Sequence, residues 1–178
     1  MSALLAITLL GLAGPARSIS FTDFPISTPG AGPSSIAAGS DGNFWFVETG
    51  GNKIGRITPV GAVTEFEVPT DNSFPFGIAA GSDGALWFIE FRGNKIGRIT
   101  TAGAISEFTI PTANSGPYGI AAGPEGALWF VEFYGERIGR ITTAGVIAEF
   151  AIPTQGHLQS IAAGSDGRHA GILCSLPD

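Results

Sequence analysis

The chain has a single cysteine, so no disulfide forms within it and packing and hydrogen bonds must hold the fold. Charged residues are scarce, 13% of 178, and the net charge is −6. Lys and Arg are nowhere clustered; they come singly, at places such as Lys53, Arg56, Lys95 and Arg98. That excludes a nucleic-acid surface, which needs grouped cations to meet phosphates. Apolar runs stop short of a membrane span, and no stretch shows the periodicity of an amphipathic helix. Gly-x-Ser-x-Gly, Cys-x-x-Cys and a phosphate-cradling loop ahead of a helix are also missing. Those absences remove the usual signatures of serine hydrolases, thiol redox proteins and nucleotide binders.

What the chain has is glycine, 27 residues of it, and a repeat. Gly77-Ile-Ala-Ala-Gly-Ser-Asp-Gly-Ala-Leu-Trp-Phe-Ile-Glu90 returns nearly unchanged at Gly119–Glu132, and a third version runs from Ser35 to Glu48. Trp45, Trp87 and Trp129 keep one spacing of 42 residues, as do Pro69, Pro111 and Pro153. A repeat of that length is one supersecondary unit that buries its apolar faces against its neighbours.

Each unit divides into four strand-like runs. In the second copy these are Ile78–Gly81, Ala85–Glu90, Lys95–Thr100 and Ala104–Ile110. Ser82-Asp83-Gly84, Arg92-Gly93-Asn94 and Thr101-Ala102-Gly103 supply the turns, and Pro111 closes the unit. Leu86 and Phe88 alternate with Trp87 and Ile89, so both faces of that strand are apolar, as stacking between two neighbours requires. The tryptophans read as packing between units. Four antiparallel strands in about 42 residues make a β-propeller blade.

The expected fold is therefore all-β, a partial β-propeller of about three and a half four-stranded blades. Complete blades span 35–76, 77–118 and 119–159. A fourth-strand match at 21–34 and a first-strand match at 160–167 would share one further blade, and 168–178 is a divergent tail. The expected form is an open arc, completed by self-association as a homo-oligomer; a compact four-bladed ring is the second option. At the other end, Ser2–Ala13 is apolar and leads into Gly14-Pro15-Ala16-Arg17-Ser18, although no Lys or Arg precedes it. Residues 1–17 are read as a signal peptide, which places the protein outside the cytoplasm, secreted or periplasmic.

The units Gly-Ile-Ala-Ala-Gly-x-x-Gly-Ala-Leu-Trp-Phe-x-Glu, Gly-Asn-Lys-Ile-Gly-Arg-Ile-Thr and Glu-Phe-x-Ile-Pro-Thr resemble the virginiamycin B lyase (streptogramin lyase) family over about 21–167. The resemblance implies a seven-bladed propeller, of which this chain would be about half. It also implies magnesium-dependent opening of a streptogramin B lactone by elimination, with a histidine base and glutamates on the metal. The family's histidine stands just before the first strand of a blade; Phe76, Tyr118 and Gln159 fill those positions here. His157, in the same kind of loop, is the candidate base; His169 lies in the tail.

Two readings of the repeated glutamates stand. Glu48, Glu90 and Glu132 begin the loop after the second strand and fall opposite Lys53, Lys95 and Arg137, as cross-hairpin ion pairs would. Alternatively, Glu90 and Glu132 are ligands for Mg²⁺. The loops that differ between copies are the expected ligand surface: Phe76, Phe91, Arg92, Tyr118, Phe133 and Tyr134 would line an aromatic mouth. Three functions follow: a binding or scaffold module for a small molecule, glycan or protein; a true lyase; or a truncated gene product, suggested by the change of pattern at Arg168.

Overall fold

The computed structural model describes residues 3–7, 21–153, 157–164 and 170–175. It holds three four-stranded antiparallel sheets, each with its strands in sequence order. The first comprises β3 (Pro33–Ala38), β4 (Phe44–Glu48), β5 (Lys53–Ile57) and β6 (Val63–Glu67). The second comprises β7 (Pro75–Ala80), β8 (Leu86–Glu90), β9 (Lys95–Ile99) and β10 (Ile105–Thr109). The third comprises β11 (Pro117–Ala122), β12 (Leu128–Glu132), β13 (Arg137–Ile141) and β14 (Ile147–Ala151). Two-stranded groups flank them: β1 (Ala3–Ile7) with β2 (Phe21–Pro25), and β15 (His157–Ala163) with β16 (Ala170–Ser175). The first strands pack in series, β3 on β7, β7 on β11 and β11 on β15, so the blades form the arc of a partial propeller.

The first turn of each blade works as its sequence requires. Gly84 takes a φ of +77°, and the Asp83 carboxylate accepts hydrogen bonds from the Ala85 amide at 3.3 Å and the Trp87 indole at 3.2 Å. Trp87 then stacks on Phe108 within its blade, 5.6 Å between ring centroids, and is fully buried, as is Trp45. In the third blade Pro124-Glu125-Gly126 replaces Ser-Asp-Gly and forms a 3₁₀ turn. The Trp129 indole N–H there is buried without an acceptor. In the second turn Asn94, with positive φ, donates to the carbonyls of Ile110 and Thr112 and accepts from the Ser115 amide, tying one blade to the start of the next.

Strand three carries a glycine for a packing reason. Gly97 faces Phe88 in the ladder, and a Cβ at Gly97 would strike the Phe88 ring. The glycine lets that ring lie flat across the neighbouring strand, and Gly55 and Gly139 repeat the arrangement. Between blades, Glu107 accepts from the Thr70 amide at 2.9 Å and hydroxyl at 3.0 Å, while Lys95 reaches Glu107 at 2.8 Å. Glu65 does the same with Ser27, Thr28 and Lys53.

Three expectations change. The first strands start at Pro33, Pro75 and Pro117, earlier than hydropathy suggests, because a bulge after each proline carries the ladder on. The register opposes Glu48 to Lys53 and Glu90 to Lys95 as read, but these lysines pair with Glu65 and Glu107. Finally, the strands expected to share one blade, β2 and β15, belong to separate sheets, each with its own partner. Ala16, Ser18, Arg168 and His169 lie outside the described residues.

Candidate functional site

The loops that vary between blades gather on one rim. Phe76 and Tyr118 meet at 4.5 Å between centroids, Tyr118 and Phe133 at 5.9 Å, and Tyr118 and Phe91 edge-on at 6.0 Å. Tyr134 closes the group against Phe91 at 6.0 Å and Phe133 at 5.0 Å. Arg92 spreads over the ring of Phe74, 4.6 Å from its centroid, and Phe74 leans on Phe91. The five aromatic residues read from sequence form one continuous layer, with Arg92 at its margin. Tyr134 remains 60% exposed, which leaves the layer open to a ligand.

His157 belongs to this layer. Its ring lies parallel to Phe133, 4.4 Å between centroids and 6° between planes. Its Nδ1 is 3.2 Å from the Phe133 carbonyl oxygen. A carbonyl only accepts, so Nδ1 carries the proton and donates, and Nε2 is left as the basic nitrogen. His157 opens β15 rather than sitting in a loop before it.

Beside the aromatic layer runs a cleft of about 180 Å³ along the innermost strands. Ser34, Phe76, Tyr118 and Gln159, one residue from each of four consecutive first strands, line it. The bulges after Pro75 and Pro117 belong to those strands, which is why Phe76 and Tyr118 face a cleft rather than capping a loop. Ser34 and Thr49 bind the carbonyls of Phe76 and Pro75, so the cleft wall is stitched across blades one and two.

Sequence reading underrated one residue. Phe74 has a φ of 55°, where the matching positions in the other blades are Gly32 and Gly116, also at positive φ. A bulky side chain in that region is strained, and such strain collects at functional sites. Aligning the three copies exposes it: an aromatic stands where the repeat otherwise uses glycine.

Glu48, Glu90 and Glu132 end the second strand of each blade. All three are fully buried, and neither oxygen of any of these carboxyls has a hydrogen-bond partner. Burial pushes each carboxyl up to about 7, and Glu65, Glu107 and Glu149 respectively push the same way. Glu90 and Glu132 lie in different blades, each under its own turn at Gly93 or Gly135. Among the described residues, no three His, Cys, Asp or Glu side chains are grouped to hold a metal ion. Glu90 and Glu132 therefore have no third such side chain grouped with them among the described residues.

A sequence profile of the virginiamycin B lyase family matches residues 16–169. The crystal structure of virginiamycin B lyase from Staphylococcus aureus superimposes with a TM-score of 0.81 at 49% identity, over 82% of this chain and 50% of the lyase. A catalytically inactive histidine-to-alanine form of that lyase with quinupristin matches at 49% identity and a TM-score of 0.81, over 83% of this chain and 50% of its own length. A streptogramin B lyase matches at 44% identity and the same TM-score, over 84% of this chain and 50% of that lyase. The chain thus spans about half the length of these solved lyases. No match is found among curated proteins.

Proposed function

Because the chain belongs to the virginiamycin B lyase family, we propose that it is a ligand-binding propeller module whose aromatic rim takes a cyclic depsipeptide of the streptogramin B kind. The observation that carries this reading is the convergence of Phe76, Phe91, Tyr118, Phe133 and Tyr134 beside one cleft. Flat, rigid rings give large contact area at low entropic cost, and a macrocycle with apolar side chains matches such a surface. The relative with quinupristin supports the ligand class. Titration calorimetry with quinupristin tests it. Saturable binding that weakens in Tyr134→Ala, whose exposed ring can be removed without opening the core, is the expected result. An absence of saturation overturns the reading, and glycans or protein ligands at the same face then become the alternatives.

A second reading, the lyase itself, rests on His157. Its Nδ1–H is anchored to the Phe133 carbonyl, which leaves Nε2 as the proton acceptor on the aromatic layer. The base would remove a proton beside the lactone, and elimination would open the ring. In this reading Glu90 and Glu132 would be ligands for a Mg²⁺ ion, which would steady the developing charge. Mass spectrometry of quinupristin incubated with the protein and Mg²⁺ separates the readings: intact lactone supports binding alone. Linear product that disappears in His157→Ala supports catalysis.

A further inference from the structure

The second blade carries a pair of residues that the other two blades lack. Where they have Gly32 and Gly116 it has Phe74, held at a φ of 55° that suits glycine and strains a bulky side chain. Where they have Gly50 and Tyr134 it has Arg92. The two changes meet, because the Arg92 guanidinium lies over the Phe74 ring, 4.6 Å from its centroid. The backbones beneath are tied as well. The Phe91 amide donates to the Phe74 carbonyl at 3.3 Å, and the Arg92 amide to the Ser73 carbonyl at 2.9 Å. The strained residue is thus the one that supports the cation, and strain of this kind collects at functional sites.

Arg92 also lacks an anion. Lys53, Lys95, Arg98 and Arg140 pair with Glu65, Glu107, Asp83 and Glu125. The Arg56 guanidinium donates to the Thr101 carbonyl and the Thr64 hydroxyl. Among the described residues the exposed Arg92 side chain makes no ion pair and no hydrogen bond. The Phe74 ring covers one face of the guanidinium, so the N–H groups along its edge stay available to a two-oxygen acceptor. From Phe74 the aromatic contacts run to Phe91 at 6.2 Å, and from Phe91 to Tyr134 at 6.0 Å. A positive, hydrogen-bonding point therefore stands at one end of an apolar platform.

We infer that Arg92 on Phe74 is an anion subsite, so that the rim favours ligands joining an apolar body to one free carboxylate. This rests on the reading of the rim as a ligand surface and adds a charge preference to it. A single guanidinium matches both the charge and the fork of one carboxylate. The lactone of a cyclic depsipeptide holds its carboxyl as an ester, and opening the ring frees it. The subsite thus distinguishes an opened chain from the same chain with its carboxyl esterified.

Calorimetry with two linear probes tests the inference. One is quinupristin opened by alkaline hydrolysis to the free acid, and the other is the methyl ester of that acid. The acid should bind about fivefold more tightly than the ester, the scale of a surface ion pair, and the preference should shrink at high salt. Arg92→Gln should bring the acid down to the ester and leave the ester unchanged, with an unaltered circular dichroism spectrum. Equal binding of acid and ester by the parent chain overturns the inference. So does a preference that survives Arg92→Gln, or a loss there that is equal for both probes. Intact quinupristin separates the two readings: if it saturates while acid and ester do not differ, the subsite falls and the rim stands. If none of the three binds, both fall.

Discussion

The imidazole of His157 lies flat against the ring of Phe133, and its Nδ1 hydrogen-bonds to the carbonyl oxygen of that same residue. One residue thus sets both the plane and the tautomer of the histidine. The backbone fixes which nitrogen is basic, and the side chain fixes where it points. The pair also joins the third blade to β15, since Phe133 lies in the turn after β12 and His157 opens β15.

Phe133→Leu keeps the carbonyl and removes the stacked face. Quinupristin affinity should fall about 5–10-fold, in line with roughly 1–1.5 kcal/mol for an aromatic contact. Calorimetry measures the loss, and unchanged affinity would remove Phe133 from the binding surface.

Phe74→Gly relieves a left-handed backbone, worth about 1–2 kcal/mol, and loses the contacts to Phe91 and Arg92 while adding chain entropy. These terms oppose one another, so the denaturation midpoint should move by less than about 1 kcal/mol. Ligand affinity should drop all the same. A large loss of stability with affinity retained would make Phe74 structural.

Trp87→Ala empties a fully buried site between two blades and should cost about 3–5 kcal/mol. Trp129→Ala should cost visibly less, because Trp129 is only half-buried. Urea titrations compare the two. Equal costs would contradict the packing described.

Pro124→Ser with Glu125→Asp transplants the turn of the second blade into the third. The Trp129 N–H then gains the acceptor that Trp87 has in Asp83, and Arg140 keeps a carboxylate partner as Arg98 does. Stability should rise by about 1 kcal/mol, the usual net value of satisfying a buried donor. A decrease would mean that the 3₁₀ turn is the better fit.

Stability should also depend on pH through Glu48, Glu90 and Glu132. Each carboxyl is raised from 4.5 to about 7 in the folded chain, so the fold holds these protons after the unfolded chain has released them. Their contribution is full below about pH 4.5 and is lost as pH climbs to about 7, at roughly 1.4 kcal/mol per pH unit for each group. Burial opposes ionisation of Glu65 and Glu107 too. Their hydrogen bonds to Ser27, Thr28, Lys95 and Thr70 outweigh it and hold them low, so these two lose stabilisation only in stronger acid. Thermal melts should therefore be highest near pH 5. Glu90→Gln should flatten the fall toward pH 8, and a melting temperature that rises from pH 5 to 8 would refute the assignment.

Much of this was legible because each blade writes the same instructions. The Asp-Gly turn, the apolar Leu-Trp-Phe strand and the glycine opposite Phe88 are local requirements, and each appears in the order in which the chain uses it. The aromatic set was legible for the opposite reason. Phe91, Tyr118, Phe133 and Tyr134 vary where the scaffold does not, and variation on a fixed frame marks a surface under separate demand. The partners of the glutamates were not legible. Glu90 and Lys95 face each other in the ladder, yet Lys95 turns to Glu107 and Thr70, because those oxygens are less buried and already held by a neighbouring blade.

Periodicity alone determined that this chain is a row of four-stranded blades with irregular loops on one rim, since a repeat constrains every copy to one backbone path. Only the tertiary structure decided which residues meet across blades. It placed His157 on Phe133 and buried three glutamates, each under its own turn. Such contacts depend on the curvature between blades, which arises from packing summed along the arc and has no counterpart in any single stretch of residues.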